Sequence, residues 1–464
     1  MATLVRAEHD LPTLRIAYRD GGRVAVRFWL VRGSGEVELV AECGASELGP
    51  LDFRGGEPAT DDQFSLPSDV LYYLTKQVPT LGGSASPPDN ALWLELPSPR
   101  GYLHLVPWEQ LLAPLGRPVV RLPNYTVRPR AQSNTLEVAL CAGWSVVSGQ
   151  FDAAGTLAGL ARLWREATGV PTTVHVFSDG WVFERLTTLL ADEEAVIAHD
   201  PARWEAGVPP GDAVGSTHPA ATADNAWLEW MGAALRGSAL DVVHLVGHGY
   251  LSGGRGAVAM SVTPSRLEEQ PAEGPWVGED DWAGDATPVG EFVGAAKLAQ
   301  FVSGQGAWTF IASGAPDNYS GAALREVADA LAINSPGITI AHDLALDPDT
   351  DQLRRVLQLV YAGQDSVGTA QPGISCWAHP KFVEYPEEHL MTRSGHSVMV
   401  QQATQDLLVE AHTPTSVAAA TRYLESLQAK WIRTDTGPDP DAVTALRRVS
   451  DLVERRAREL RGEP

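Results

Sequence analysis

An α/β fold, with a mostly parallel sheet flanked by helices, is predicted by three observations. Between about residues 86 and 385 of this 464-residue chain, apolar runs of strand length alternate with helical stripes. Most of the links between them are short, as strand–helix–strand units require. Two of the runs, 241–249 and 307–314, break at Gly-containing turns that carry a reactive-type side chain, His248 and Ser313. Such breaks mark the carboxyl ends of strands, where open parallel sheets gather their ligand and catalytic groups.

The first 85 residues read as an N-terminal β-rich segment. Runs 14–18, 24–31 and 36–40 alternate apolar and polar residues, with turns at Asp20-Gly21-Gly22 and Gly33-Ser34-Gly35. A short helix from Ser68 to Leu74 follows, then a Pro/Gly-rich loop at 81–88 that serves as a domain boundary. Residues 91–112 predict a hairpin leading into a short helix, with Pro107 at its start and Trp108 pinning it to the sheet.

The α/β domain, 86–385, then sets in fully. Strands are expected at 136–142, 172–177, 241–249, 257–262, 307–314, 337–341 and 374–377, the one at 257–262 as an edge. Helices are expected at 154–168, 181–190, around Trp227–Leu235, and at 290–302, 320–331 and 352–361. The stretch 266–285 is acidic and aperiodic. Beyond 386 only helical patterns remain, at 398–410, 416–430 and 441–461, which makes 386–464 a C-terminal helical module.

Composition excludes several functions. Acidic residues outnumber basic ones 58 to 35, a formal charge of −23, so no net basic surface is available for nucleic acid or an anionic membrane. The three cysteines, Cys43, Cys141 and Cys376, are scattered, with neither metal-type spacing nor a disulfide framework. That suits a reducing cytoplasm. No secretory signal and no membrane-spanning run is visible. There is no phosphate loop and no dinucleotide-binding glycine pattern, so neither cofactor nor metal is expected.

The chemistry rests on the two strand ends. His248 is placed as a general base and position 313 as a nucleophile, the division of labour in a Cys–His peptidase. His244, inside the strand, reads as a core or supporting residue. Cys376 and Cys141 read as buried packing.

Together these blocks resemble the CHAT domains, caspase-like peptidases of the clan that also holds separase and gingipain. Residues 101–112 (Gly-Tyr-Leu-His-Leu-Val-Pro-Trp-Glu-Gln-Leu-Leu) resemble the family's entry block, and 244–249 (His-Leu-Val-Gly-His-Gly) its His-Gly block. Residues 310–314 with helix 320–331 resemble its Ala-Cys block, with Ser313 where cysteine is expected, and 338–363 follow in the family's order. The resemblance implies a His–Cys dyad that cuts peptide bonds in bacterial defence or cell-death systems. It puts His248 as base, the Gly249 and Gly314 backbone at the oxyanion, and protein substrates or partners. Serine is a far weaker acid than a thiol and needs a carboxylate-oriented histidine to react; spacing alone nominates no such carboxylate. Ser313 therefore stands either as the residue of a pseudo-peptidase, a non-catalytic scaffold or sensor, or as a Cys→Ser replacement in an endopeptidase. Either way His248 and Ser313 are expected on neighbouring parallel strands, opening on one cleft.

Overall fold

Two half-sheets, the first patterned by alternating buried side chains, merge into one. The computed structural model describes residues 11–19, 25–32, 36–50, 60–81, 90–97, 101–123, 134–143, 151–202, 225–235, 239–252, 255–261, 264, 290–315, 320–334, 337–362 and 372–382. The three helical patterns beyond 386 lie outside them. In β1 (Thr13–Tyr18) and β2 (Ala25–Val31), Leu14, Ile16, Val26, Phe28 and Leu30 face a core closed by α1 (Ser68–Gln77) through Val70 and Leu74. β2 pairs antiparallel with β1 and with β3 (Val37–Gly44), while β1 pairs parallel with β4 (Leu92–Glu95). The expected hairpin after β4 does not form. Residues 101–105 make a turn and a single 3-10 turn, and β4 pairs instead, in parallel, with β5 (Val119–Arg121). Trp108 explains the difference: its indole N–H donates to the Leu103 carbonyl at 2.7 Å, curling the segment onto itself beneath Phe28.

The second half-sheet is doubly wound. Its strands are β6 (Leu136–Ala142), β7 (Thr172–Ser178), β8 (Val196–His199), β9 (Val242–Ser252), β12 (Thr309–Gly314), β13 (Ile338–Asp343) and β14 (Ile374–Trp377). The order across the whole sheet is β3-β2-β1-β4-β5-β14-β13-β12-β9-β6-β7-β8, parallel from β13 to β8. Helices α2 (Ala153–Ala167), α3 (Gly180–Leu189) and α7 (Asp351–Leu357) cover one face, packing Leu157, Trp164, Leu186 and Leu353 on Leu140, Val242 and Ile311. Helices α4 (Ala226–Ala234), α5 (Ala295–Gly304) and α6 (Ser320–Asn334) cover the other, on Cys141, Leu245 and Phe310. A strand buried on both faces is apolar at nearly every position, which is why these runs lack regular alternation. Residues 257–262, expected as an edge, supply β10 (Arg255–Ser261) between β9 and β11 (Gly290–Gly294) in an antiparallel ribbon. The helix expected from 290 begins five residues later, after β11. Among the described residues no helix is long and apolar enough to cross a membrane.

The half-sheets meet between β5 and β14 at one registered pair, Arg121 and Trp377. Backbone pairing is thin there, and a side chain does the joining. Arg121, fully buried, donates from Nε and Nη2 to the two carboxylate oxygens of Glu109 at 2.7 and 2.8 Å. It also donates to the carbonyls of His104 and Val106, and lies over the Trp377 ring. Glu109 accepts a further bond from Ser375 of β14. Deleting one member of such a pair strands a charge in the core, at a cost of about 3–5 kcal/mol. Arg121→Ala is accordingly expected to lower the urea unfolding free energy by roughly that amount; a loss below about 1 kcal/mol would mean the seam holds without it.

Candidate functional site

The strand ends identified in the sequence lie on neighbouring strands, and a third, that of β13, adjoins Ser313 from the other side. Ser313 is the penultimate residue of β12, flanked in register by Val246 of β9 and His342 of β13. Its hydroxyl lies 2.7 Å from His244 Nε2 and 2.9 Å from His342 Nδ1. His342 Nε2 is 3.2 Å from Asp347 Oδ2 in the loop after β13. That same oxygen accepts the backbone N–H groups of Gln352 and Leu353, each at 3.0 Å, at the start of α7. At the other end, His244 Nδ1 lies 3.0 Å from the indole nitrogen of Trp164 on α2.

Every proton in this row can be placed, because its two ends are unambiguous. An indole N–H only donates and a carboxylate only accepts. Trp164 therefore donates to His244 Nδ1, which puts the His244 proton on Nε2, donating to Ser313 Oγ. The Ser313 hydroxyl then donates to His342 Nδ1, and His342 Nε2–H donates to Asp347. His244, with Nδ1 accepting from the indole, is neutral in this arrangement. Burial, assisted by the neighbouring His342, drives the His244 pKa down to about 3. Burial would raise the Asp347 carboxyl, but the bonds from His342 and from the α7 backbone outweigh it and hold the pKa below its ordinary value.

The row is sealed. Ser313, His244, His342 and Asp347 are 1%, 0%, 2% and 4% exposed. His248 is on the neighbouring parallel strand, as expected, but one residue beyond the last β9–β12 pair, Gly247 with Gly314, and in register with Ala259 of β10. It is half-buried, and it is not one of the two imidazoles on Ser313. The Gly249 N–H, expected at an oxyanion, donates to Ser320 Oγ at 2.8 Å. A Cβ at Gly249 would stand 2.6 Å from the Ser320 carbonyl, so glycine is needed there for the approach of α6. Gly314 sits in the ladder, its carbonyl accepting from Leu344. Cys376 is buried, and burial with the nearby Glu109 pushes its thiol up to about 12, far from a working nucleophile. Among the described residues no His, Cys, Asp and Glu group could hold a metal.

Sequence reasoning missed His342, Asp347 and Trp164. The signal was present in 338–347, where a strand breaks at a histidine and an aspartate follows five residues on, just before a helix. Comparison with protein-family models, with curated proteins and with solved structures finds no match, so the site is read from its own geometry.

Two outcomes follow. Ser313→Ala would leave His244 Nε2–H and His342 Nδ1 facing each other's void, and an unsatisfied buried group costs about 1–3 kcal/mol. A drop of about 2 kcal/mol or more in unfolding free energy is expected by urea titration; a neutral effect would show that water replaces the hydroxyl. The second concerns pH. His244 is held neutral, and His199 is lowered to about 4 by burial and by the facing His175. Both folded pKa values lie below the unfolded one, so the unfolded chain binds protons first and stability falls as pH drops below about 6.5. Urea midpoints should therefore decline between pH 7 and pH 5, by about tenfold in the unfolding constant per pH unit for each histidine. A flat profile would contradict neutral burial.

Proposed function

We propose that this chain is a caspase-like protein of the CHAT type that acts by binding other proteins and, as it stands, cuts none. One observation carries the reading: Ser313, at the nucleophile position the resemblance assigns, is 1% exposed and its hydroxyl already holds one bond in each direction. A weak acid becomes a nucleophile only where a substrate carbonyl can reach it. Asp347 supplies the orienting carboxylate that spacing did not nominate, through His342, and it is access that is lacking. In support of binding, Tyr250 and Phe292 stack at 4.5 Å on the ribbon beside Gly249, about half exposed each. Exposed aromatic pairs of this kind are common at protein interfaces. The cellular setting would be a multi-protein bacterial defence or cell-death system, in a cytoplasm reducing enough to suit three free cysteines.

The test uses the unaltered chain with lysate of its native cells. A complex that survives size-exclusion chromatography, with its partner intact by mass spectrometry, is expected. In parallel, a fluorophosphonate and a peptide electrophile should leave the intact mass unchanged. A cleaved partner, or an adduct on Ser313, would restore the endopeptidase reading.

A further inference from the structure

We infer that the group placed to take a proton from position 313 is His342, with Asp347 as its positioning residue, and not His248. The inference rests on the reading of position 313 as the nucleophile position and goes beyond it by reassigning the base. Proton direction carries the argument. Trp164 occupies His244 Nδ1 and forces that ring to donate into Ser313 Oγ, so His244 cannot accept. The hydroxyl hydrogen has one acceptor, His342 Nδ1 at 2.9 Å, and both bonds held by that oxygen are accounted for without His248. A proton arriving on His342 Nδ1 makes an imidazolium whose other N–H already faces a carboxylate. Asp347 in turn is fixed by two backbone N–H groups at the start of α7 and cannot swing away without breaking them. This is the sequence of roles that lets a neutral histidine act as a base, with the ring turned so that Nδ1 rather than Nε2 meets the hydroxyl. The bond donated by His244 favours negative charge on the same oxygen.

The titratable groups around His342 are few. His244 faces it from β9 across the serine, Asp347 from the loop before α7, and Asp343 follows it on β13, itself near Arg325 of α6 and Asp61. Of these only Asp347 touches the ring.

Ser313→Cys makes the assignment measurable with a reagent small enough to enter a closed site. Alkylation by iodoacetamide forms a bond from Sγ to carbon and expels iodide, and the thiol proton passes to the base. The rate is followed against pH by intact mass, under native conditions, with urea midpoints recorded for each chain. Adding His342→Gln, which retains polar groups but cannot take the proton, should slow reaction at pH 7 at least tenfold and move the profile toward that of an ordinary thiol. Adding Asp347→Asn should shift the midpoint in the same direction by a smaller amount, and it serves if the glutamine variant does not fold. Adding His248→Gln should leave rate and midpoint within about twofold. A profile that follows His248 and ignores His342 and Asp347 overturns the inference. So does a Ser313→Cys chain that reacts only at urea concentrations that unfold it. Failure to find a bound partner would touch the binding reading alone and leave these profiles as they are.

Discussion

A buried guanidinium, that of Arg121, joins the two halves of this sheet at their seam. Across the β5–β14 seam the backbone contributes one registered pair, where neighbouring strands elsewhere contribute several. Burying a charge there costs several kcal/mol. Arg121 offsets that cost by meeting both oxygens of Glu109, two carbonyls and the face of Trp377. The geometry explains why Trp108 and Glu109 occur side by side. Trp108 curls the 103–108 turn so that its carbonyls point inward, and Glu109 delivers the counter-charge to the same place. Arg325 repeats the device from α6, reaching the Leu105 carbonyl and Asp61.

The second buried polar system follows a different rule. Each group in the row donates to the next, and the row ends on the carboxylate of Asp347. Directionality replaces ion pairing as the way of keeping four side chains satisfied in a dry core. It also makes the row sensitive to the loss of any member, because neither imidazole can reverse its tautomer without meeting the fixed indole at one end or the carboxylate at the other.

The fold was legible where burial dictates composition. Mostly apolar runs such as 136–142 and 307–312 read as strands covered on both faces, and the helical stripes of α2 and α6 supplied the covers. What stayed hidden depends on contacts between distant residues. β5 is three residues long, and β8 exposes Ile197, so neither stands out from its surroundings. The 101–105 turn reads as a strand until the indole of Trp108 is folded back on it. At the site, position and strand adjacency of Ser313 and His248 were readable, because both end apolar runs. His342 carries a similar strand-end signal, but its role depends on facing Ser313 across the ladder, a pairing that spacing along the chain does not give.

Helix α6 lies on the β9–β10 ribbon with no room for a side chain between them. A Cβ at Gly249 or Gly256 would press within 2.6 and 2.3 Å of its carbonyls. The same helix grips Asp61 at the far half-sheet through Arg325. Surfaces in such contact have no slack to absorb a displacement. One helix thus touches both the ribbon that carries Tyr250 and Phe292 and Asp61 of the N-terminal half.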